Sequence, residues 1–437
     1  MRHWGWPAVL LLFAVLSLSS LAWALAQDDA VVAGAPQPVA KPAALDHGLG
    51  VPLVIHFHSK FSDGSHRPKE IADHLVGDVN GVILTDHHFC SKSFTFRLRH
   101  RTPERFSEIG TTTKEILGQV QRPGNDVVGY ANYLATGIAF SQEGFHFIPG
   151  AELGWFDGED EHHLLLLDIS SPELRKRFVE NEDSGESGHA LGKKLGRTEV
   201  ESILELCTRL RVPTVAAHPA NEKMGYPITE ARSIPRLIEF FNNGVVDDAV
   251  DRVHLVHRRR AEVEQREVTA YLTGLALKDG VLGVTAGSDF HTTALNRADD
   301  KLGGSDQWHR YTYICGVGDR PSRAQLLQGL YNGQTYAAVE DAAVLEISPA
   351  LGLEVPHPVS SVTLRIKLTA RVRTGRQLCL YRVGSDGHTL VNTWTWQGDT
   401  ITAEHTDATA RPGEKYSYVW YVPDQLITSP IRVSVRK

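Results

Sequence analysis

The strongest constraint on the fold is a set of histidines and carboxylates that stand where predicted strands end. In chain order they are His56, His58, His87, Glu152, His218, Asp289 and His291. The carboxyl ends of parallel strands meet on one face of an α/β barrel, so side chains remote in sequence are expected to become neighbours there. Imidazole and carboxylate groups in such numbers are typical ligands of catalytic divalent metals. The pattern therefore predicts a multinuclear metallohydrolase.

The strands that carry these residues alternate with helices from Val51 to about Val339. Apolar runs predict strands at Leu53–Phe57, Val82–Leu84, Phe145–Ile148, Leu164–Asp168, Val212–Ala216, Leu237–Phe241 and Val281–Thr285. Capping signals predict helices that start at Pro68, near a Thr198/Glu201 capping box, and after Ser322. With about seven strands in this alternation, a TIM-like α/β barrel is favoured over an open sheet.

The pattern changes after Leu345. Short alternating runs separated by Gly, Asp, Asn and Pro predict antiparallel strands and a small β-sandwich over residues 345–437. Its aromatic residues are either core or a surface that binds a carbohydrate or a partner, and they are Trp394, Trp396, Trp420 and Tyr421. Alternating aromatics favour the core interpretation.

The amino terminus predicts export. Residues 1–26 combine Arg2, a short apolar run and small residues before Gln27, as in a secretory signal peptide, and the alternative is an uncleaved anchor. Residues 27–50 are expected to be a flexible leader. No later segment is apolar enough to span a membrane, and the mild acidic excess predicts no stable nucleic-acid complex. A periplasmic or secreted protein is expected.

The cysteines exclude a sulfur-ligated metal site. None of the four belongs to a Cys-x-x-Cys pair, and Cys315 and Cys379 lie inside strand-like runs. Buried free thiols are expected, so the predicted metal ligands are nitrogen and oxygen atoms.

Five segments together resemble the motifs of the PHP (polymerase and histidinol phosphatase) superfamily, in the family's order. They are His56 to Gly64, Thr85 to His88, Gly150 to Glu152 with the downstream His163, Ala217 to Pro219, and Gly287 to His291. The resemblance covers roughly residues 51–339 and is specific because it joins five segments. It implies a distorted (β/α)7 barrel over residues 51–340 that holds two or three Mn, Zn or Fe ions.

The same resemblance implies nine metal ligands. These are His56, His58, Asp63, His87, Glu152, His163, His218, Asp289 and His291. It selects His163 over His162 because the family's ligand directly precedes the apolar strand. His88 stands where the family commonly has Asn, and it either faces the substrate as a catalytic residue or braces His87. Asp86 is expected to orient the loop or a histidine.

A looser resemblance, of the overall architecture, is to the exported carbaryl-hydrolase-type branch of that superfamily. The expected reaction is hydrolysis of a small phosphoester by a metal-bridging hydroxide. One alternative is a carboxyl-ester or carbamate hydrolase with the same metals; the other is a non-catalytic binding protein with a vestigial site. Residues 89–144 exceed a simple strand-to-helix connection, and they are either a lid over the metals or a peripheral subdomain.

Overall fold

The protein is described by a computed structural model over residues 49–59, 66–88, 126–158, 160–174, 195–221, 224–228, 234–242, 253–277, 283–290, 310–339, 342–352, 354–357, 361–369 and 376–435. Over these residues it is a mixed α/β structure with one large sheet, a separate three-stranded sheet and five helices. Residues 46–437 form one compact unit. The predicted signal peptide and nearly all of the predicted leader lie outside the described residues.

The helices are α1 (Pro68–Leu75), α2 (Asp126–Ala139), α3 (Arg197–Leu210), α4 (Val253–Leu277) and α5 (Arg323–Asn332). The strands of the first part are β1 (Val51–Phe57), β2 (Gly81–Leu84), β3 (His87–His88), β4 (His146–Pro149), β5 (Ala151–Asp157), β6 (Asp160–Leu166), β7 (Leu195–Gly196), β8 (Thr214–Ala216), β9 (Leu237–Phe240), β10 (Gly283–Phe290), β11 (Arg310–Ile314) and β12 (Thr335–Val339). The later strands are β13 (Ala343–Ser348), β14 (Glu354–His357), β15 (Val362–Thr369), β16 (Gln377–Gly384), β17 (Gly387–Thr395), β18 (Thr400–Asp407), β19 (Lys415–Val422), β20 (Leu426–Thr428) and β21 (Ile431–Val435).

The strands that carry the predicted ligands are joined by a closed circuit of pairings. From β1 the pairings run through β2 to β4, from β5 through β6, β8 and β9 to β10, and from β10 back to β1. Only Gly150 separates β4 from β5, and β3 pairs with β5 just as β2 pairs with β4. Strands β1, β2, β8 and β9 are wholly buried, as expected for strands covered on both faces.

One strand of the circuit runs against the others. β6 is antiparallel to both β5 and β8, whereas the other steps of the circuit are parallel. Only two residues separate β5 from β6, so the chain reverses direction between them, whereas parallel strands would need a long crossover connection. The amino end of β6 consequently lies at the same edge as the carboxyl ends of its parallel neighbours. This explains why His163 precedes its apolar run while the other ligands follow theirs.

Each predicted helix is present, although one starts earlier than expected. Helix α1 begins at Pro68 and buries Ile71 and Leu75. The cap of α5 is as predicted, because Ser322 Oγ accepts a hydrogen bond from the backbone N–H of Gln325, and Gly333 ends the helix with a φ of 66°. Helix α3 begins at Arg197, before the predicted Thr198 box.

The strands after Ala343 divide between two sheets. β13, β15 and β18 form the separate three-stranded sheet, and the others continue the large sheet through the antiparallel pair of β12 and β20. Trp396, Trp420 and Tyr421 are buried and Trp394 is half-buried, which confirms the core interpretation of these aromatic residues. The proposed β-sandwich and its boundary near residues 340–345 stay predictions.

Two further observations bear on the sequence-based expectations. Cys207, Cys315 and Cys379 are buried free thiols, as expected, while Cys90 lies outside the described residues. Among the helices that the structure describes, none has the length and apolar character needed to cross a membrane.

Candidate metal centre

The structure brings seven of the predicted ligands together in one buried group. They are His56, His58, His87, Glu152, His163, His218 and Asp289. Asp63 and His291 lie outside the described residues, and so does the side chain of His88, whose backbone belongs to β3. The placement agrees with the proposed site, while the role of each residue as a metal ligand stays a prediction.

Glu152 is the centre of the group, and its two carboxylate oxygens face different histidines. Oε1 lies 2.6 Å from His163 Nδ1 and 3.3 Å from His218 Nε2. Oε2 lies 2.9 Å from the Nδ1 atom of His87. The same Oε2 is 3.3 Å from His58 Nε2 and 3.4 Å from His56 Nε2. A single carboxylate thus contacts five imidazoles.

Asp289, on the neighbouring strand β10, approaches His56 of β1 and His58, which directly follows β1. Its Oδ1 lies 3.3 Å from His56 Nε2 and 3.2 Å from His58 Nε2. Its side chain is 13% exposed, whereas those of Glu152, His56 and His58 are at most 1% exposed. Asp289 is therefore the most exposed side chain of the group, followed by His87 and His163 at 9% and 6%.

These distances define two overlapping sets of atoms that could each hold an ion. One set comprises His56, His58, Glu152 and Asp289, and the other comprises His87, Glu152 and His163. In each set the candidate atoms lie within 4.8 Å of one another. Glu152 belongs to both sets, which is the arrangement expected for a carboxylate that bridges two cations.

The chemistry of the group fits divalent metal ions. Nitrogen and oxygen donors of this kind suit Zn, Mn or Fe. His56 Nε2 and Glu152 Oε2 are buried and make no well-directed hydrogen bond with the described residues, although they face each other. Buried polar atoms normally have such partners, and a cation between them would supply the missing interaction.

The pKa shifts of His56 and Glu152 also indicate that the group favours a positive charge among its carboxylates. Burial alone would lower the pKa of His56, but nearby carboxylates, led by Glu239 and Asp289, raise that pKa well above its ordinary value. Burial would likewise raise the pKa of Glu152, yet His163 and His87 hold it well below its ordinary value. The carboxylates thus favour a cation beside them, either a proton on histidine or a metal ion.

The backbone that presents the ligands is unusual. His56, His218 and Asp289 have φ values of 63°, 28° and 47°, a region that residues other than glycine seldom adopt. The pairing register of β1 shifts between Ile55 and Phe57, so His56 sits in an irregularity of the strand. Despite this irregularity, the rings of His56 and His58 both reach Glu152 and Asp289. Such local strain is common where function requires a particular geometry.

Neighbouring residues show which of two candidates faces the centre. His162 turns away from Glu152, because its Nδ1 lies 2.8 Å from the carbonyl oxygen of Gly225 and its ring packs on Trp155. Its neighbour His163 reaches Glu152. Asp86 accepts hydrogen bonds from the backbone N–H and the hydroxyl of Ser59 at 2.8 and 2.7 Å. It therefore orients the chain that follows β1, which agrees with the expected role.

Sequence reasoning missed two buried carboxylates beside the centre. Glu239 lies 2.5 Å from His56 Nδ1, and Glu161 lies 3.7 Å from His163 Nε2. Glu239 interrupts the apolar run of a predicted strand, which was an available signal. A charged residue in such a run needs buried partners.

Comparisons with known proteins give remote structural likenesses only. No family model and no curated protein matches the chain. A two-domain protein from Bacteroides vulgatus, described as containing a predicted PHP-like metal-dependent phosphoesterase, is 13% identical and aligns over 92% of this chain and 100% of its own, with a TM-score of 0.37. An amidohydrolase from Chromobacterium violaceum, solved with bound sulfate and no metal, is 15% identical over 55% of this chain and 87% of its own, with a TM-score of 0.29.

A third likeness covers a smaller part of the chain. The sensor domain of an anti-sigma factor from Pseudobacteroides cellulosolvens is 11% identical over 22% of this chain and 92% of its own, with a TM-score of 0.17. All three TM-scores are below 0.5, so these likenesses do not identify the family or the function of this protein.

Proposed function

We propose that this protein is an exported, metal-dependent phosphoesterase of the PHP type. The observation that supports the proposal is the buried arrangement of five histidines around Glu152 with Asp289 at its solvent edge. Burying this many titratable groups is costly unless a cation or substrate uses them. Each of the two overlapping sets of donor atoms would offer a cation several nitrogen and oxygen ligands.

The proposed ligands divide between the two sets. His56, His58 and Asp289 would hold one ion, His87 and His163 another, and Glu152 would contact both. His218 lies against Glu152 and His163, and Asp63 and His291 are proposed from the sequence motifs to complete the shell. When bound, divalent ions of this kind supply Lewis acidity and a hydroxide nucleophile near neutral pH.

The charge of the centre favours an anionic substrate. Its proposed ligands include three carboxylates, Glu152, Asp289 and Asp63, while the histidine ligands are neutral when they coordinate metal. Three carboxylates do not neutralise two or three divalent ions, so the ligand shell itself keeps positive charge, and Glu239 and Glu161 lie beside that shell. A phosphate monoester or diester is attracted to such a centre more strongly than a neutral carboxyl ester or carbamate.

The protein's own residues position the reaction. The buried histidines exclude water from the interior of the group, and the partly exposed Asp289 marks the side at which a substrate would enter. His88, from the sequence motif, is proposed to contact the substrate near that side. The proposed substrate is a small-molecule ester or phosphoester, with no nucleic-acid partner.

The proposal also includes the fold, the domain boundaries and the signal peptide. The closed circuit of strands supports a distorted (β/α)7 barrel, with the antiparallel β6 as the distortion. We further propose a PHP domain over residues 51–340, a lid within residues 89–144 and a β-sandwich over residues 345–437. Cleavage of a signal peptide at residues 1–26 and membership of the carbaryl-hydrolase-type branch complete the proposal.

The test is metal analysis combined with a substrate panel. Purified protein loaded with Mn²⁺ or Zn²⁺ is assayed on aryl phosphates, bis-aryl phosphates, aryl acetates and carbaryl. We expect phosphoester hydrolysis that is lost in the variants H58A and D289A. Turnover of aryl acetates or carbaryl but no phosphoester would replace this proposal with the esterase alternative. Activity that survives both substitutions would defeat the metal mechanism.

A further inference from the structure

Glu239 is a fully buried carboxylate in the middle of β9. Its neighbours Leu237, Ile238 and Phe240 are also buried, so the carboxylate is not in contact with solvent. An ionised carboxylate in such surroundings is stable only if hydrogen-bond donors surround it. Its donors therefore indicate what the residue does.

Three donors converge on Glu239, and two of them belong to proposed metal ligands. Oε1 lies 2.5 Å from His56 Nδ1. Oε2 accepts hydrogen bonds from the backbone N–H of His218 at 2.6 Å and from Asn242 Nδ2 at 2.8 Å. Glu239 thus holds the ring of one ligand and the backbone of another.

The contact with His56 determines which ring nitrogen faces the centre. A carboxylate only accepts hydrogen bonds, so a neutral His56 keeps its proton on Nδ1, next to Glu239. The lone pair of Nε2 then points to the side where Glu152 and Asp289 lie 3.4 and 3.3 Å away. Histidines that bind metals commonly have their other nitrogen fixed in this way.

The end of β9 is itself held in an uncommon conformation. Phe241 has a φ of 61°, its N–H donates to Glu267 Oε2 at 3.1 Å, and its carbonyl accepts from Arg310 Nε at 3.2 Å. Glu267 and Arg310 are both buried. The turn at Phe241 places Asn242 beside Glu239. The buried side chains of Glu267 and Arg310 hold this turn and so stabilise the position of Asn242 next to the carboxylate.

The neighbouring strand leaves space for this carboxylate at Gly287. A β-carbon on Gly287 would lie 1.5 Å from Glu239 Oε1. The strand β10, which carries Asp289, is thus built around the side chain of Glu239. The placement of the carboxylate is specified from both sides.

From these contacts we infer that Glu239 is a positioning residue that sets the tautomer of His56 and the backbone position of His218, so that both rings are pre-arranged for metal. The inference rests on the proposed metal centre but not on any particular substrate. Residues of this kind change metal affinity about 10- to 100-fold when they are lost.

The test titrates full-length, metal-free protein with Co²⁺ and follows visible absorption, which reports both affinity and coordination. E239D keeps the charge but withdraws the acceptor by one methylene, whereas E239Q keeps the length but turns one acceptor into a donor. The matched control is E264Q, a buried carboxylate that accepts from Tyr421 and the backbone of Asp424. We expect Co²⁺ binding about 10- to 100-fold weaker and an altered spectrum in both Glu239 variants, and neither change in E264Q.

Two results would overturn the inference. One is wild-type affinity and spectrum in both Glu239 variants; the other is a loss in E239Q alone, because charge rather than placement would then matter. If neither variant folds, N242A takes their place, with an expected loss of roughly 3- to 10-fold, and unchanged Co²⁺ binding would overturn the inference. Normal Co²⁺ binding without any hydrolase activity would defeat the proposed function alone.

Discussion

The candidate metal centre and the three-stranded sheet place their titratable residues in opposite ways. In the sheet, β15 alternates buried apolar residues with more exposed polar ones, and Arg365 pairs with Glu404 at side-chain exposures of 64% and 49%. At the candidate centre, the titratable side chains of Glu152 and His56 are both buried. Local rules of strand formation account for the sheet, whereas the centre violates them. Such violations persist where function compensates their cost.

The largest effect is expected from Glu152→Gln. Since Glu152 belongs to both sets of donor atoms, its loss would remove a ligand from both proposed ions at once. We expect the metal content of the purified protein to fall to background, measured by inductively coupled plasma mass spectrometry. The matched control is Glu404→Gln in the exposed sheet, which should leave the metal content unchanged. Full metal occupancy in E152Q would show that the buried charge has another purpose.

A large effect on stability, but none on metal affinity, is expected from Trp420→Ala in the later strands. Trp420 is fully buried and packs against the half-buried Trp394 at a centroid distance of 5.3 Å. The substitution should lower the free energy of unfolding by about 3–5 kcal/mol through cavity formation. Metal affinity of the folded protein should not change. Urea denaturation measures the first quantity and Co²⁺ titration the second, with Trp394→Ala as the milder comparison.

An intermediate, pH-dependent effect is expected at Glu264. Burial is the main reason that its pKa rises to about 8. Because the folded state favours the protonated acid, this contribution to stability is present below pH 4.5 and is lost as the pH rises towards 8. E264Q cannot ionise and keeps an oxygen for Tyr421 and Asp424. It should match the wild type near pH 5 and gain on the order of 2 kcal/mol at pH 8.

Thermal unfolding of both proteins across this pH range provides the measurement. Parallel curves for the wild type and E264Q would contradict the prediction. Glu264 is buried like Glu152 but belongs to neither set of donor atoms. The measurement therefore gives the pH dependence of a buried carboxylate that lies outside the candidate metal centre.

The smallest effect is expected at the exposed pair of Arg365 and Glu404. Their side chains lie 2.6 Å apart but are largely hydrated, so their coupling should be about 0.5 kcal/mol or less. A double-mutant cycle of R365A and E404A, followed by urea denaturation, measures it. A coupling above about 2 kcal/mol would remove the contrast between the two regions.

Much of this arrangement could be predicted because its signals are local. Apolar runs marked the strands of the circuit, and the ligands stand directly beside those runs at His56, His87 and His218. The Ser322 cap was also predictable, since capping depends on residues within one turn. In these cases the information lies within a few neighbouring residues.

The remaining features depend on contacts between distant residues. The partner of Glu239 is 183 positions away, so its role could not be inferred from β9 alone. The positive φ of His56 could not be predicted, because no glycine stands at that position. The antiparallel direction of β6 depends on the turn that precedes it. Asp63, His88 and His291 stay predictions, because their side chains lie outside the described residues.

The pairing of β1 with β10 also has a consequence for the order of folding. Ser288 Oγ donates a hydrogen bond to the carbonyl of His56, 232 residues earlier in the chain. During synthesis, His56 and His58 are made long before β10, so they can contact Asp289 only after this last strand of the circuit has been made. Such non-local closure slows folding and delays it until most of the chain is available. A shortened chain that ends before β10 therefore lacks Asp289 and cannot form the complete proposed centre.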